Sequence, residues 1–220
     1  MTPPQILRAI EPCLRQREPP PPERCTAHKW LNEKAREEYA KVGPGRYELY
    51  LSKLAEEKIR NHASAAASQR LEVMGLLLGN VFTWNDVQYS IVRDVATTDL
   101  DSSSVRVRFS RDGMERLFAY LEEAGFKYVI VGWYHSHPGH RCFLSPTDVE
   151  TQKGLFNKRF HSAIVIDPIN KEIESFFIEN GKVRSRPFAV YWDEYQNPYF
   201  GETVRRKKLA DVDKGKKDGN

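Results

Sequence analysis

The stretch "KYVIVGWYHSHPGHRCFLSPTD", residues 127–148, passes from an apolar run into a polar loop and then into a helix start. Its first eight residues are mostly β-branched and aromatic, which predicts a buried strand. At the far end Ser145 suits an N-cap, Pro146 the first helical position and Asp148 the third. A strand, a short loop and a helix in that order are the repeating unit of an alternating α/β domain.

The sequence on either side continues the alternation. "YELYL" (47–51) predicts a short strand, and the alanine-rich stretch from Ser52 to Ser68 a helix. "EVMGLLLGNV" (72–81) reads as a buried strand, and "NDVQYSIVRDV" (85–95) as its hairpin partner through a turn at Asn85 and Asp86. "ATTDLDSSS" (96–104) is polar and short in side chain, as a loop would be. "RDGMERLFAYLEEAG" (111–125) places Met114, Leu117, Phe118 and Leu121 at helical spacing, with Gly125 suited to end the helix. "HSAIVID" (161–167) and "EIESFFIENGKV" (172–183) add strands. The expected fold is therefore α/β, a mixed sheet flanked by helices.

The flanks differ from this core. Residues 1–45 contain four consecutive prolines, Pro19 to Pro22, and a segment, "AHKWLNEKAREEYAK" (27–41), that can form one amphipathic helix. They are expected to form an N-terminal extension, which packs on the domain or meets a partner. Residues 46–190 form the domain and 191–220 a tail.

The formal charge of the chain is +4, and residues 201–220 alone carry seven basic and four acidic side chains, or +3. The remaining +1 leaves no basic stripe on the body, which argues against nucleic acid as a partner. No apolar run approaches a membrane span, so no membrane partner is expected. Three scattered cysteines, Cys13, Cys25 and Cys142, without a C-x-x-C pattern fit a reducing, cytoplasmic setting.

Half of the six histidines lie in the opening stretch. His135 and His137 are two apart on extended chain, so both imidazoles point to one side. The loop then returns the first turn of the helix, where Asp148 can add an oxygen. Two nitrogens and one carboxylate leave the fourth tetrahedral position of Zn2+ open, the pattern of a catalytic site. Two other readings stand beside this one. Ser145 and Asp148 can be a capping box and nothing more, and His135, His137, His140 and Cys142 can close a structural four-ligand site. A metal hydrolase also needs a base, for which Glu72, Asp94, Glu150 and Asp167 are candidates; Glu72 stands out at the rim of an apolar strand.

Glu72, "HSHP", seven residues between His137 and Ser145, and "SPTD" together resemble the signature of the JAMM (MPN+) metalloproteases. The likeness runs over about residues 47–185, through "EVMGLLLG", "VGWYHSHPG", "CFLS" and "IVIDP", and is greatest to the proteasome-lid and signalosome members. The resemblance implies a single MPN domain with a mixed, curved sheet. It implies His135, His137 and Asp148 as ligands of one catalytic zinc, Glu72 as general base and then acid, and Ser145 as a hydrogen-bond donor to the oxyanion. The implied reaction is hydrolysis of the isopeptide bond between the C-terminal glycine of ubiquitin, or a ubiquitin-like protein, and a lysine amine. A proteasome or a second MPN subunit is the implied assembly partner. In relatives a tail of the modifier adds a strand to an insert that corresponds here to about Asp94 to Val107, which brings in Val105 and Val107 as substrate contacts. His140, Arg141 and Phe143 depart from the residues common in relatives, and His140 and Phe143 are thereby expected to shape the substrate path. The chain ends soon after the domain, as a smaller member of a prokaryotic ubiquitin-like system would. A non-catalytic MPN scaffold and a zinc amidase acting on small molecules or a sulfur-carrier protein are the alternative readings.

Overall fold

The structure, a computed structural model, describes residues 15–16, 25–26, 30–43, 47–97 and 128–191. The expected helix at 111–125, Val105, Val107 and all of the C-terminal tail after Tyr191 lie outside the described residues. The strands are β1 (Arg15–Gln16), β2 (Cys25–Thr26), β3 (Leu49–Ser52), β4 (Met74–Trp84), β5 (Val87–Thr97), β6 (Val129–Ser136), β7 (Ser162–Asp167), β8 (Glu172–Glu179), β9 (Lys182–Ser185) and β10 (Phe188–Tyr191). They join one mixed sheet in the order β2-β10-β3-β5-β4-β6-β7-β8-β9, with β1 beside the far arm of β4. The helices are α1 (Glu33–Lys41), α2 (Lys53–Ala67) and α3 (Pro146–Leu155).

Local chemistry explains most boundaries. Ser52 caps α2 by accepting the Ala55 amide at 3.1 Å. Asn85 and Asp86 both take positive φ, 47° and 62°, as a two-residue hairpin turn with the twist of the strands requires. Three expectations shift. The α1 helix begins at Glu33, not at Ala27, because Asn32 caps it by accepting from Ala35 N at 2.7 Å. Leu31 instead forms a bridge to Ile173. Ala96 and Thr97, expected to open a loop, close β5 by pairing with Leu76 and Gly75. Glu72, expected to open a strand, precedes β4, which begins at Met74.

Alternation gives the sheet two covered faces. On one, Leu49, Leu51, Leu77, Val92, Ile164, Ile166 and Ile173 pack beneath Ala55, Ile59 and Ala63 of α2 and Ala35 of α1. On the other, Met74, Leu76, Leu78, Trp133 and Ala163 pack with Leu155 of α3 and Phe156 just beyond it. Neither face would be excluded from water without the helices, so the sheet and helices are stable only together.

His161 takes a structural place in the core. It is buried, accepts the Lys158 amide on Nδ1 at 3.2 Å, and lies against the rings of Phe156 and Phe160. Burial pushes its imidazole down to about 4, against the opposing effect of hydrogen bonds to the backbone of Phe156 and Ile130. A histidine depressed from 6.5 leaves stability intact above pH 6.5 and removes it as pH falls toward 4, because the unfolded chain binds the proton first. Between pH 7 and pH 4.5 wild type is expected to lose about 2–3 kcal/mol more than His161→Gln does, measured by urea unfolding at both values. Equal losses in the two proteins would rule the effect out.

Candidate metal centre

The site begins with an irregularity in β6. Leu77 of β4 pairs with Gly132 while Leu78 pairs with Ile130, so Val131 is an extra residue, a β-bulge. Before the bulge odd-numbered residues, Val129 and Val131, face the α2 side; after it Tyr134 does. The odd-numbered Trp133 and His135 are thereby turned toward the α3 side, where Trp133 stacks on His135 at 4.5 Å. Trp133 Nε1 donates to Gln152 Oε1 at 2.7 Å, and Gln152 Nε2 to the Phe156 carbonyl at 2.8 Å, which fastens α3 over this end of the strand.

His137 follows the last residue of β6 and stays in line because its amide donates to Ile166 O at 2.9 Å. The two Nε2 atoms of His135 and His137 approach to 3.1 Å. Asp148 Oδ2 lies 3.4 Å from the first and 3.6 Å from the second. The edges of a tetrahedron of donors about 2.0–2.1 Å from a Zn2+ ion are about 3.3–3.4 Å long, so these three separations fit that coordination. Among the described residues these three side chains form the group able to hold a metal. Their Nδ1 atoms are buried and have no hydrogen-bond partner among the described residues. The rings are held instead by aromatic contact, Trp133 on His135 and Phe143 on His137 at 4.7 Å.

The capping box is present as well, with both of its bonds: Asp148 N to Ser145 Oγ at 3.2 Å and Ser145 N to Asp148 Oδ2 at 2.7 Å. The cap and the three-donor group therefore share one carboxylate, since the bonds that start α3 also hold it toward the imidazoles. Burial alone would raise the Asp148 carboxyl, but hydrogen bonds to His135 and His137 hold it well below the usual carboxylate range. Burial pushes His135 down, against Asp148. An ionised carboxylate and a neutral imidazole are the protonation states that a metal takes.

The four-ligand alternative does not assemble. His140 is exposed, and Cys142 Sγ donates to the Val165 carbonyl at 3.3 Å. Burial pushes that thiol up.

Three base candidates are otherwise engaged or remote from the core. Asp94 binds Lys58 Nζ at 2.6 Å, Asp167 is saturated by loop donors, and Glu150 is exposed. Glu72 is half-buried on the segment that ties into the end of β6, through Ser136 N to Val73 O at 2.8 Å and Val73 N to Ser136 Oγ at 2.9 Å. Burial pushes its carboxyl up, His137 and His140 pull it down, and Asp148 pushes it up, which puts it within electrostatic reach of the site. Phe143, 45 % exposed, lies against His137, and His140 is exposed on the same loop. The Trp133–Gln152 bond and the hydrogen bonds of Asp167 to the 138–144 loop were not expected from the sequence; partners 19 and 28 residues apart leave no local pattern.

Residues 45–158, more than half of the chain, match the family described as JAB1/Mov34/MPN/PAD-1 ubiquitin protease. Curated relatives carry the name COP9 signalosome complex subunit 5. The protein from Debaryomyces hansenii is 37 % identical over 68 % of this chain and 30 % of its own length. Those from Yarrowia lipolytica and Drosophila melanogaster are 31 % and 35 % identical, over 76 % and 74 % of this chain and 45 % and 49 % of theirs. The chain thus spans about a third to a half of these relatives. A helix that starts beside two strand-borne histidines, on a mixed sheet, and a match across the segment that carries all three donors lead to one conclusion: this chain belongs to the JAB1/Mov34/MPN/PAD-1 family, the JAMM-type MPN proteins.

Proposed function

We propose that the protein is a zinc-dependent isopeptidase that releases ubiquitin or a ubiquitin-like modifier from the lysine amine to which its C-terminal glycine is joined. The convergence of His135 Nε2, His137 Nε2 and Asp148 Oδ2 within 3.6 Å carries the reading. His135, His137 and Asp148 would hold the zinc, which when bound supplies a Lewis acid for the scissile carbonyl and acidifies water near neutral pH. Glu72 accepts the proton of the attacking water and returns it to the departing lysine amine, so that the proton count balances. Ser145 Oγ already accepts an amide hydrogen bond, which leaves its own O–H free to donate to oxygen charge developing on the carbonyl. His140 and Phe143 are the proposed contacts on the approach, and Val105 and Val107, outside the described residues, the proposed contacts of an extended tail of the modifier. The name shared by the relatives makes a signalosome-type complex the proposed assembly partner, with a proteasome as the other candidate.

The test is cleavage of purified ubiquitin and ubiquitin-like conjugates joined through Gly-Gly to lysine, before and after chelation and zinc return. Cleavage that disappears on chelation and returns with zinc is expected. A zinc-loaded protein that leaves all conjugates intact, alone and with a partner MPN subunit, would indicate a scaffold. Hydrolysis of small amides with conjugates untouched would indicate an amidase.

A further inference from the structure

Residues 138–144 connect His137, at the end of β6, to Ser145 and Asp148 at the start of α3. The path of this loop therefore sets the separation between the nitrogen and oxygen donors. One carboxylate holds that path. Asp167, the fully buried last residue of β7, accepts Gly139 N at 2.9 Å, Ile169 N at 2.9 Å and Asn170 N at 3.0 Å on Oδ1. On Oδ2 it accepts Arg141 N and Asn170 Nδ2, both at 2.7 Å. A carboxylate offers about four lone-pair positions, so five donors saturate it.

The loop needs such an anchor. Gly139 and Arg141 both have positive φ, 85° and 65°, and a side chain at the second position makes that conformation unfavourable unless something holds it. Beyond the amide bond, the Arg141 guanidinium meets Glu172 Oε1 at 3.1 Å, and Glu172 is the residue paired with Asp167 across β7 and β8. The same carboxylate also bonds the turn that follows β7, so it ties the two turns together.

We infer that Asp167 is a positioning residue for the metal centre: by gathering the N–H groups of both turns it holds His137 and Asp148 at coordination distance, without touching donor or substrate. The inference rests on the proposed zinc reading. Asparagine at this position has the same shape but replaces one oxygen by an amide, which would meet at least two N–H donors whichever way it is turned. The loop must then move.

The experiment is zinc competition against a chromophoric chelator for wild type, Asp167→Asn and Asn170→Ala, with the absorption spectrum of each Co2+-loaded protein. Asp167→Asn is expected to bind zinc about 10–100-fold more weakly. Asn170→Ala, which removes one donor from an exposed residue, is expected to weaken binding about 2–5-fold. At saturating zinc, Asp167→Asn should lower kcat for conjugate cleavage with KM unchanged. An altered Co2+ spectrum in the folded variant reports changed donor geometry, which a loss of general stability does not produce. Wild-type zinc affinity and spectra in both variants overturn the inference while the zinc reading stands. A wild-type protein that binds no zinc overturns both. If Asp167→Asn does not fold, the Asn170→Ala affinity decides.

Discussion

Glu72→Gln is expected to lower isopeptide hydrolysis about 10²–10⁴-fold while zinc remains bound at wild-type affinity. Glutamine keeps the size and packing of the side chain and removes its ability to take a proton. Among the described residues the other carboxylates considered are engaged or exposed. Asp94 is paired with Lys58, and Asp167 is surrounded by N–H donors that hold it below the usual carboxylate range despite burial, so neither offers a free carboxylate to the site. Glu72 is different because burial moves its carboxyl upward, toward the pH at which a proton can be both accepted and returned. The position of Glu72 is also well fixed, since Val73 makes two hydrogen bonds with Ser136, between the two histidines. Steady-state rates at matched zinc content check the prediction. A variant with more than about a tenth of wild-type kcat would show that the base lies elsewhere.

Gly132→Ala is expected to cost about 3–5 kcal/mol of stability, a large share of the about 5–15 kcal/mol typical of a domain. A Cβ at Gly132 would stand 1.9 Å from the Ser162 carbonyl oxygen, with φ at 153°. The obstacle is backbone of the neighbouring strand, so β6 and β7 must part rather than a side chain turn aside. The bulge at Val131 and Gly132 is also what exchanges the faces of β6, and separation there would loosen the hold on His135 and His137. A lower urea midpoint, with zinc affinity reduced even in the fraction that stays folded, is the expected result. A midpoint within the error of wild type would mean that the strands yield at little cost.

Much of this was legible in residue order. The strands that flank the site, the hairpin turn at Asn85 and Asp86, the cap at Ser145 and the matching orientation of His135 and His137 all depend on neighbours within a few positions. Hydrogen-bonding reach and the periods of strand and helix act over that range, so the pattern of side chains suffices to predict them. The choice between a capping box and a metal vertex could not be made locally, and the fold does not oppose the two, because the Asp148 oxygen that accepts the Ser145 amide also lies 3.4 Å from His135 Nε2.

What only the tertiary structure decided is which groups meet. The two histidines share a face in any extended chain, but the face that they share is set by the bulge, and the bulge is a matter of how β6 pairs with β4. Asp94, Glu72 and Asp167 are all carboxylates near strand ends in the sequence. Packing gave one a lysine, one a half-buried place beside the site, and one five amide donors from chain up to 28 residues away. Burial and the supply of partners determine what a carboxylate does, and both are properties of the assembled sheet rather than of any residue's neighbours along the chain.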